Sequence, residues 1–87
     1  MKDQEQRRAV DPAETTNLAV ANRLGLSVSM VSMLRSGNRR PSVYTMRQIE
    51  TAYGWPVGEQ VALLPAQGDP ADARYGQALE QRIAGVR

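Results

Sequence analysis

Apolar residues recur at helical spacing in several short segments of the chain, and no segment shows the alternation that is typical of a strand. Three segments start after a hydroxyl residue that can cap a helix and end at a glycine that tolerates a left-handed conformation. The capping residues are Thr16, Ser27 and Ser42, and the terminating glycines are Gly25, Gly37 and Gly54. The pattern therefore predicts an all-α protein.

The C-terminal part of the chain carries two more helical patterns. The segment VGEQVALL predicts a short helix that ends at Pro65, and AQGDP is a turn or linker. The segment ADARYGQALEQRIAGVR predicts a last helix with Arg82 inside an apolar stripe, which consists of Ala71, Tyr75, Ala78, Leu79, Ile83 and Val86. Two uses of this stripe stay open: folding back onto the domain and pairing with a second copy.

The start of the chain allows two interpretations. Asp11, Pro12 and Glu14 have the form of a helix cap, a first-turn proline and a reciprocal acid, so one helix could run from Pro12 through Leu24. The alternative is a separate first helix over roughly Lys2–Val10 that breaks at the proline. We favour the second interpretation.

Composition excludes several classes of chemistry. The 87 residues contain neither cysteine nor histidine, which removes disulfides, thiolate nucleophiles, nitrogen or sulfur metal ligands and the usual general base near neutral pH. No segment has the length of a membrane span, and the N-terminus lacks the apolar stretch of a signal peptide. The composition favours a binding domain without a cofactor over an enzyme.

Charge is unevenly distributed along the chain. The net charge is +2, but residues 15–49 contain five arginines and no acid, whereas residues 1–14 carry −1, residues 50–68 carry −2 and residues 69–87 are neutral. We call residues 15–49 the basic window. Such a concentration of positive charge is typical of a surface that binds phosphates, and an ordinary solvated surface is the competing interpretation.

Two short predicted helices, residues 17–24 and 28–35, are separated only by the tripeptide GLS. A turn this short sets the second helix steeply across the first, which is the helix-turn-helix unit. Ala21 is small enough for the helix contact, Gly25 suits the turn, and Leu26 fills the angle between the helices. We expect Val31 and Leu34 to pack against the first helix of the unit.

The stretch LAVANRLGLSVSMVSMLRSGNRRPS resembles the Cro and repressor type (XRE-like) of helix-turn-helix DNA-binding domain from phages and bacteria. The likeness covers roughly residues 16–64 and continues through Pro41, Met46, Ile49, Tyr53 and Gly54. It implies a compact five-helix, lambda-repressor-like domain over residues 1–64, followed by a linker and an additional C-terminal helix over residues 65–87. Glu50 stands where a small residue is expected, and Asp11-Pro12 departs from the first helix of the pattern.

The resemblance implies which residues meet DNA. At about 100° per residue, Met30, Val31 and Leu34 face the core of the domain, and the opposite side would enter the major groove. The residues expected to read bases are Val28, Ser29, Ser32 and Met33. Those expected to contact phosphates are Thr16, Asn17, Arg35, Arg39, Arg40 and Arg47, with Arg23 a weaker candidate. Packing against a neighbouring helix or a dimer partner is the alternative for Val28 and Met33.

The function implied is a sequence-specific transcriptional regulator that binds double-stranded operator DNA as a homodimer and blocks transcription. This activity is not enzymatic, needs no cofactor or small-molecule ligand, and belongs in the cytoplasm of a bacterial host, with the nucleoid. Two alternatives stay open: an antitoxin that also binds a toxin, and a protein-interaction module that has lost DNA binding. Trp55 is expected in the core or an interface.

Overall fold

The computed structural model describes residues 12–65 and 73–85, and the regular structure in these ranges is helical. A 3₁₀ turn, Pro12–Thr15, is followed by five α-helices: α1 (Asn17–Leu24), α2 (Val28–Ser36), α3 (Val43–Tyr53), α4 (Val57–Ala62) and α5 (Ala73–Ile83). The predicted all-α class is confirmed. The favoured first helix over Lys2–Val10 lies outside the described residues. None of the described helices has the length and apolar character that crossing a membrane requires.

The helix boundaries follow from local capping. The hydroxyls of Thr16, Ser27 and Ser42 each accept a hydrogen bond, at 3.1 Å, from the backbone N–H three residues later. Thr16 has extended backbone angles, which separates the 3₁₀ turn from α1. A single helix from Pro12 through Leu24 is therefore wrong, because the chain re-initiates at the Thr16 cap.

The turn between α1 and α2 depends on Gly25, whose φ of 72° places it in the left-handed region. The N–H groups of Gly25 and Leu26 both donate to the carbonyl of Ala21, which closes the C-terminus of α1. Leu26 packs against the core from the turn, as expected. The two helices bury their facing apolar side chains, namely Val20, Ala21, Leu24, Val31 and Leu34.

A buried polar network joins α3, α4 and α5. Gln60 is fully buried, and its amide nitrogen donates to the carbonyls of Met46 (2.8 Å) and Trp55 (2.9 Å). The Tyr75 hydroxyl donates to the amide oxygen of Gln60 at 2.7 Å. Burial raises the pKa of the Tyr75 hydroxyl well above its ordinary value, so Tyr75 stays a donor. Because the polar side-chain atoms of Gln60 and Tyr75 all have partners, this network orients α5 without leaving either side chain unsatisfied.

The last helix folds back onto the domain. Tyr75, Leu79 and Ile83 are buried within the same apolar cluster as the α1–α2 residues, and the Tyr75 ring stacks on Trp55 with centroids 5.1 Å apart. Ala71 and Val86, also predicted for this stripe, lie outside the described residues. Trp55 is 3% exposed, so its predicted place in the core is confirmed. The buried stripe of α5 is therefore used within the chain.

The position of α5 depends on a close backbone contact at Gly76. A Cβ at this position would lie 2.5 Å from the Arg35 carbonyl oxygen and 3.0 Å from the Gly37 nitrogen, both backbone atoms at the end of α2. Real Cβ atoms do not approach so closely, and backbone atoms cannot rotate away. Any side chain at residue 76 would therefore push α5 off the end of α2.

Substituting Gly76→Ala should destabilise the fold by about 1–3 kcal/mol, because the added methyl overpacks a backbone contact. The matched control is Gly58→Ala in α4, where a Cβ would meet nothing within 4 Å. That change should leave stability unaltered or raise it by up to about 1 kcal/mol, since alanine favours helix. Urea unfolding followed by far-ultraviolet circular dichroism measures both. Equal stability of the two variants would contradict the close packing of α5 on α2.

Candidate nucleic-acid interface

The outward side of α2 is uncharged. Val28 is 44% exposed, Ser29 and Ser32 are exposed, and Met33 is half-buried. On the opposite side, Val31 and Leu34 are buried and Met30 packs partly against the core, as the helical spacing predicts. The four residues expected to read bases thus share the side of α2 that faces away from the core. Their side chains offer two hydroxyls and two apolar groups.

The N-terminus of α1 lies beside this helix. The Thr16 hydroxyl caps α1 and also donates to the Ala13 carbonyl at 3.3 Å. Thr16, Asn17 and Ser32 line one shallow depression together with Arg35 and Glu80. The first N–H groups of a helix have no partners within the helix and attract anions, so the start of α1 suits a phosphate beside the α2 surface.

Arg35 has contacts different from those expected. The sequence predicts a phosphate contact, whereas in the structure Nε and one terminal nitrogen donate to both carboxylate oxygens of Glu80, at 2.9 and 2.7 Å. The other terminal nitrogen donates to the Thr15 carbonyl (2.6 Å) and to Oδ1 of Asn17 (3.1 Å). The hydrogen bond to Glu80 raises the pKa of Arg35 above its ordinary value. A direct phosphate contact would require the guanidinium to leave these partners.

The remaining arginines of the basic window divide into two groups. Arg39 and Arg47 are exposed and form no ion pair or hydrogen bond with the described part of the chain. Arg40 is half-buried and donates to the Pro65 carbonyl at 2.8 Å. Arg23 donates to the Ala52 carbonyl at 2.8 Å and lies over the Tyr53 ring, 4.7 Å from its centroid. Arg39 and Arg47 are therefore the arginines whose charge is most available to a ligand.

A helix-turn-helix family model, HTH_3, matches residues 6–60 of the chain. The chain belongs to this family. The match covers the α1–α2 unit and supports its resemblance to Cro and repressor domains. The protein is thus a DNA-binding protein of the transcriptional-regulator class, a class that is not typically enzymatic. Neither a curated protein nor a solved structure matches the chain significantly.

Two features of this helix-turn-helix protein are absent from the sequence predictions. One is the acid Glu80, which comes from α5, 45 residues after its partner Arg35. Nothing in the local pattern around Glu80 distinguishes it from a solvated helix residue. The other is the hydroxyl of Tyr53, which is buried without a hydrogen-bond partner among the described residues. Burial raises the pKa of this hydroxyl, while the positive charges of Arg23 and Arg35 oppose the shift.

The described residues contain no cluster of acidic side chains that could hold a metal ion. The candidate interface consists of hydroxyls, apolar groups, helix amides and arginines. These groups suit a polyanion whose bases and phosphates are contacted side by side.

Proposed function

We propose that the protein represses transcription by occupying a pseudo-palindromic operator as a homodimer, in the manner of a Cro protein or a short immunity repressor. The observation that carries the proposal is the uncharged outward side of α2, which lies in a segment with five arginines and no acid. Such a surface can approach the duplex without repulsion and contact base edges in the major groove. A dimer bound to the operator then blocks access of RNA polymerase to the promoter. This would take place in the bacterial cytoplasm, where the chromosome lies.

Phosphate contacts would come from both sides of α2. Thr16 and Asn17 present the N-terminus of α1 to one phosphate, where helix amides and the helix dipole favour negative charge. Arg39, Arg40 and Arg47 supply positive charge beyond the end of α2. We assign Arg40 a secondary part, because its guanidinium already donates to Pro65.

Base contacts would come from Val28, Ser29, Ser32 and Met33. Serine can donate to or accept from any base, whereas valine and methionine contact the thymine methyl group. This set of four contains no arginine, glutamine or asparagine that could form a paired hydrogen bond with guanine or adenine. We therefore expect moderate base discrimination, supplemented by the deformability of the DNA between half-sites.

Pairing of two chains is expected through α4. The apolar stripe of α5 is buried within the chain, so we assign the contact to an exposed apolar residue of another helix, Val61 in α4, at 48% exposure. Leu18 in α1 is 61% exposed, but it follows Asn17, which we assign to phosphate. Val43 and Tyr44 at the start of α3 are also exposed, at 58% and 62%, but they lie between Arg40 and Arg47, which we assign to phosphate.

Selection from a random duplex pool tests the function as a whole. We expect enrichment of a two-fold symmetric sequence with half-sites about one helical turn, ~34 Å, apart. Native mass spectrometry of the selected duplex should detect two bound chains, and Val61→Glu should weaken the second binding event because it places a charge in the apolar contact. Enrichment of an asymmetric site with one bound chain would exclude the dimer, and no enrichment at all would exclude sequence-specific binding.

The salt dependence of binding tests the arginine assignment. The substitution Arg39→Gln removes one phosphate contact per chain. The decrease of log K with log salt should therefore become less steep, by about one unit of slope per bound chain. The control is Gln81→Glu on α5, an exposed position where the same change in net charge is made away from the α2 surface. Fluorescence anisotropy over a salt series measures both. If the two variants lose slope equally, bulk charge and not a contact at Arg39 explains the binding.

Uracil substitution in the selected duplex tests base contacts, because it deletes only the thymine methyl. At a contacted position affinity should fall about fourfold, since a buried methyl contributes ~0.8 kcal/mol. Met33→Ala should abolish this sensitivity at one base pair and leave binding to unrelated DNA nearly unchanged. Uracil outside the selected site is the control. If no uracil within the site alters affinity, Val28 and Met33 pack against protein instead.

A further inference from the structure

Glu80 holds the Arg35 guanidinium in one orientation. Both carboxylate oxygens accept from it, at 2.7 and 2.9 Å, and such a paired contact defines the plane as well as the position of the group. The Arg35 side chain is only 15% exposed, while that of Glu80 is 46% exposed. The second terminal nitrogen of Arg35 is thereby directed away from Glu80, towards the start of α1.

At the start of α1, Arg35 determines how the Asn17 amide is turned. A guanidinium only donates, so the amide group that faces it must be the oxygen, and Oδ1 of Asn17 accepts at 3.1 Å. The amide nitrogen then lies on the other side of the planar group. It has no hydrogen-bond partner within the described part of the chain. The Asn17 NH₂ is therefore an unused donor beside the free N–H groups of the first turn of α1.

We propose that Glu80 is a positioning residue for DNA binding: through Arg35, it orients the Asn17 amide so that its NH₂ donates to a phosphate. The inference rests on the proposed function and deepens it. It makes α5 contribute to DNA binding through Arg35, without requiring that Glu80 itself contact DNA. Arg35 then acts from within the protein, in place of the direct phosphate contact that its position in the basic window suggests.

The direction in which Glu80→Gln changes DNA affinity distinguishes a positioning role from a simple electrostatic effect. Removing an acid from a DNA-binding protein ordinarily strengthens binding, because repulsion of the phosphates decreases. Glu80→Gln removes an acid, but it also replaces one acceptor oxygen with an NH₂ group that cannot accept from Arg35, and leaves the other oxygen uncharged. If Glu80 positions Asn17, the variant binds DNA more weakly despite its higher net positive charge.

The experiment is a double-mutant cycle on the duplex selected with the wild-type chain. Asn17→Ala should lower affinity about fivefold, the scale of one hydrogen bond, and Glu80→Gln should lower it by a similar factor. The double variant should bind no more weakly than Asn17→Ala alone, because the contribution of Glu80 passes through Asn17. The matched control is Glu59→Gln, which removes an exposed acid paired with Arg82 of α5 at 3.3 Å. Glu59 lies on the side of α4 opposite the proposed Val61 contact, because residues two apart differ by about 200° around a helix. It should bind as tightly as wild type or slightly more tightly.

Two measurements on the free protein test the cause of the weaker binding: the first reports whether α5 is docked, and the second reports the environment of the Asn17 amide. Trp55 is the one tryptophan of the chain and stacks on Tyr75, so its fluorescence reports whether α5 is docked. The emission should be the same in wild type and Glu80→Gln, since Tyr75, Leu79 and Ile83 still anchor the helix. The side-chain amide resonances of Asn17 should shift in Glu80→Gln and stay unchanged in Glu59→Gln.

The outcomes distinguish the two proposals. If wild type binds the selected duplex and Glu80→Gln binds equally or more tightly, the positioning role is wrong and DNA binding stands. If the effects of Asn17→Ala and Glu80→Gln multiply, Glu80 acts independently of Asn17 and the inference is equally wrong. If the wild-type chain selects no duplex, the proposed function fails and the inference fails with it.

Discussion

The missing side chain at Gly76 is the constraint on which the arrangement of α5 depends. With only hydrogen at this position, α5 lies directly on the backbone at the end of α2, at a distance that excludes even a methyl group. One residue earlier, Tyr75 reaches Trp55 and Gln60, and one helical turn later, Glu80 reaches Arg35. Apolar packing, the buried polar network and the ion pair therefore all require the same close approach.

This arrangement joins the C-terminal helix to the helix-turn-helix unit. The core contains side chains from α1, α2, α3 and α5, and Gln60 of α4 satisfies its amide with backbone carbonyls and Tyr75. A small domain buries a limited area, so a helix that contributes Tyr75, Leu79 and Ile83 adds much of the apolar burial. The same contacts withdraw the apolar stripe of α5 from intermolecular pairing.

The arginines of the basic window differ in their contacts in the folded structure. Its five arginines are equivalent as charges along the sequence, yet three of them donate to groups within the protein and two are free of such contacts in the described ranges. Arg35 pairs with an acid that lies outside the window, so the positive field at the start of α1 is weaker than the window alone suggests. The long-range field draws a polyanion, whereas the local contacts decide which side chains meet it.

Local information in the sequence determined the helices and their faces. Hydroxyl caps, terminating glycines and apolar spacing predicted α1, α2 and α3, and the burial of Val31 and Leu34. Capping and amphipathic spacing depend on residues within one or two turns, which is why the local sequence suffices for them. The spacing of Ala21, Gly25, Val31 and Leu34 likewise predicted the helix-turn-helix family. Only the tertiary structure decided that α5 folds back, that Gln60 is a buried centre of hydrogen bonding, and that Arg35 faces Glu80. These contacts join residues 14 to 45 positions apart, and each depends on how two helices lie against each other, which no local pattern specifies.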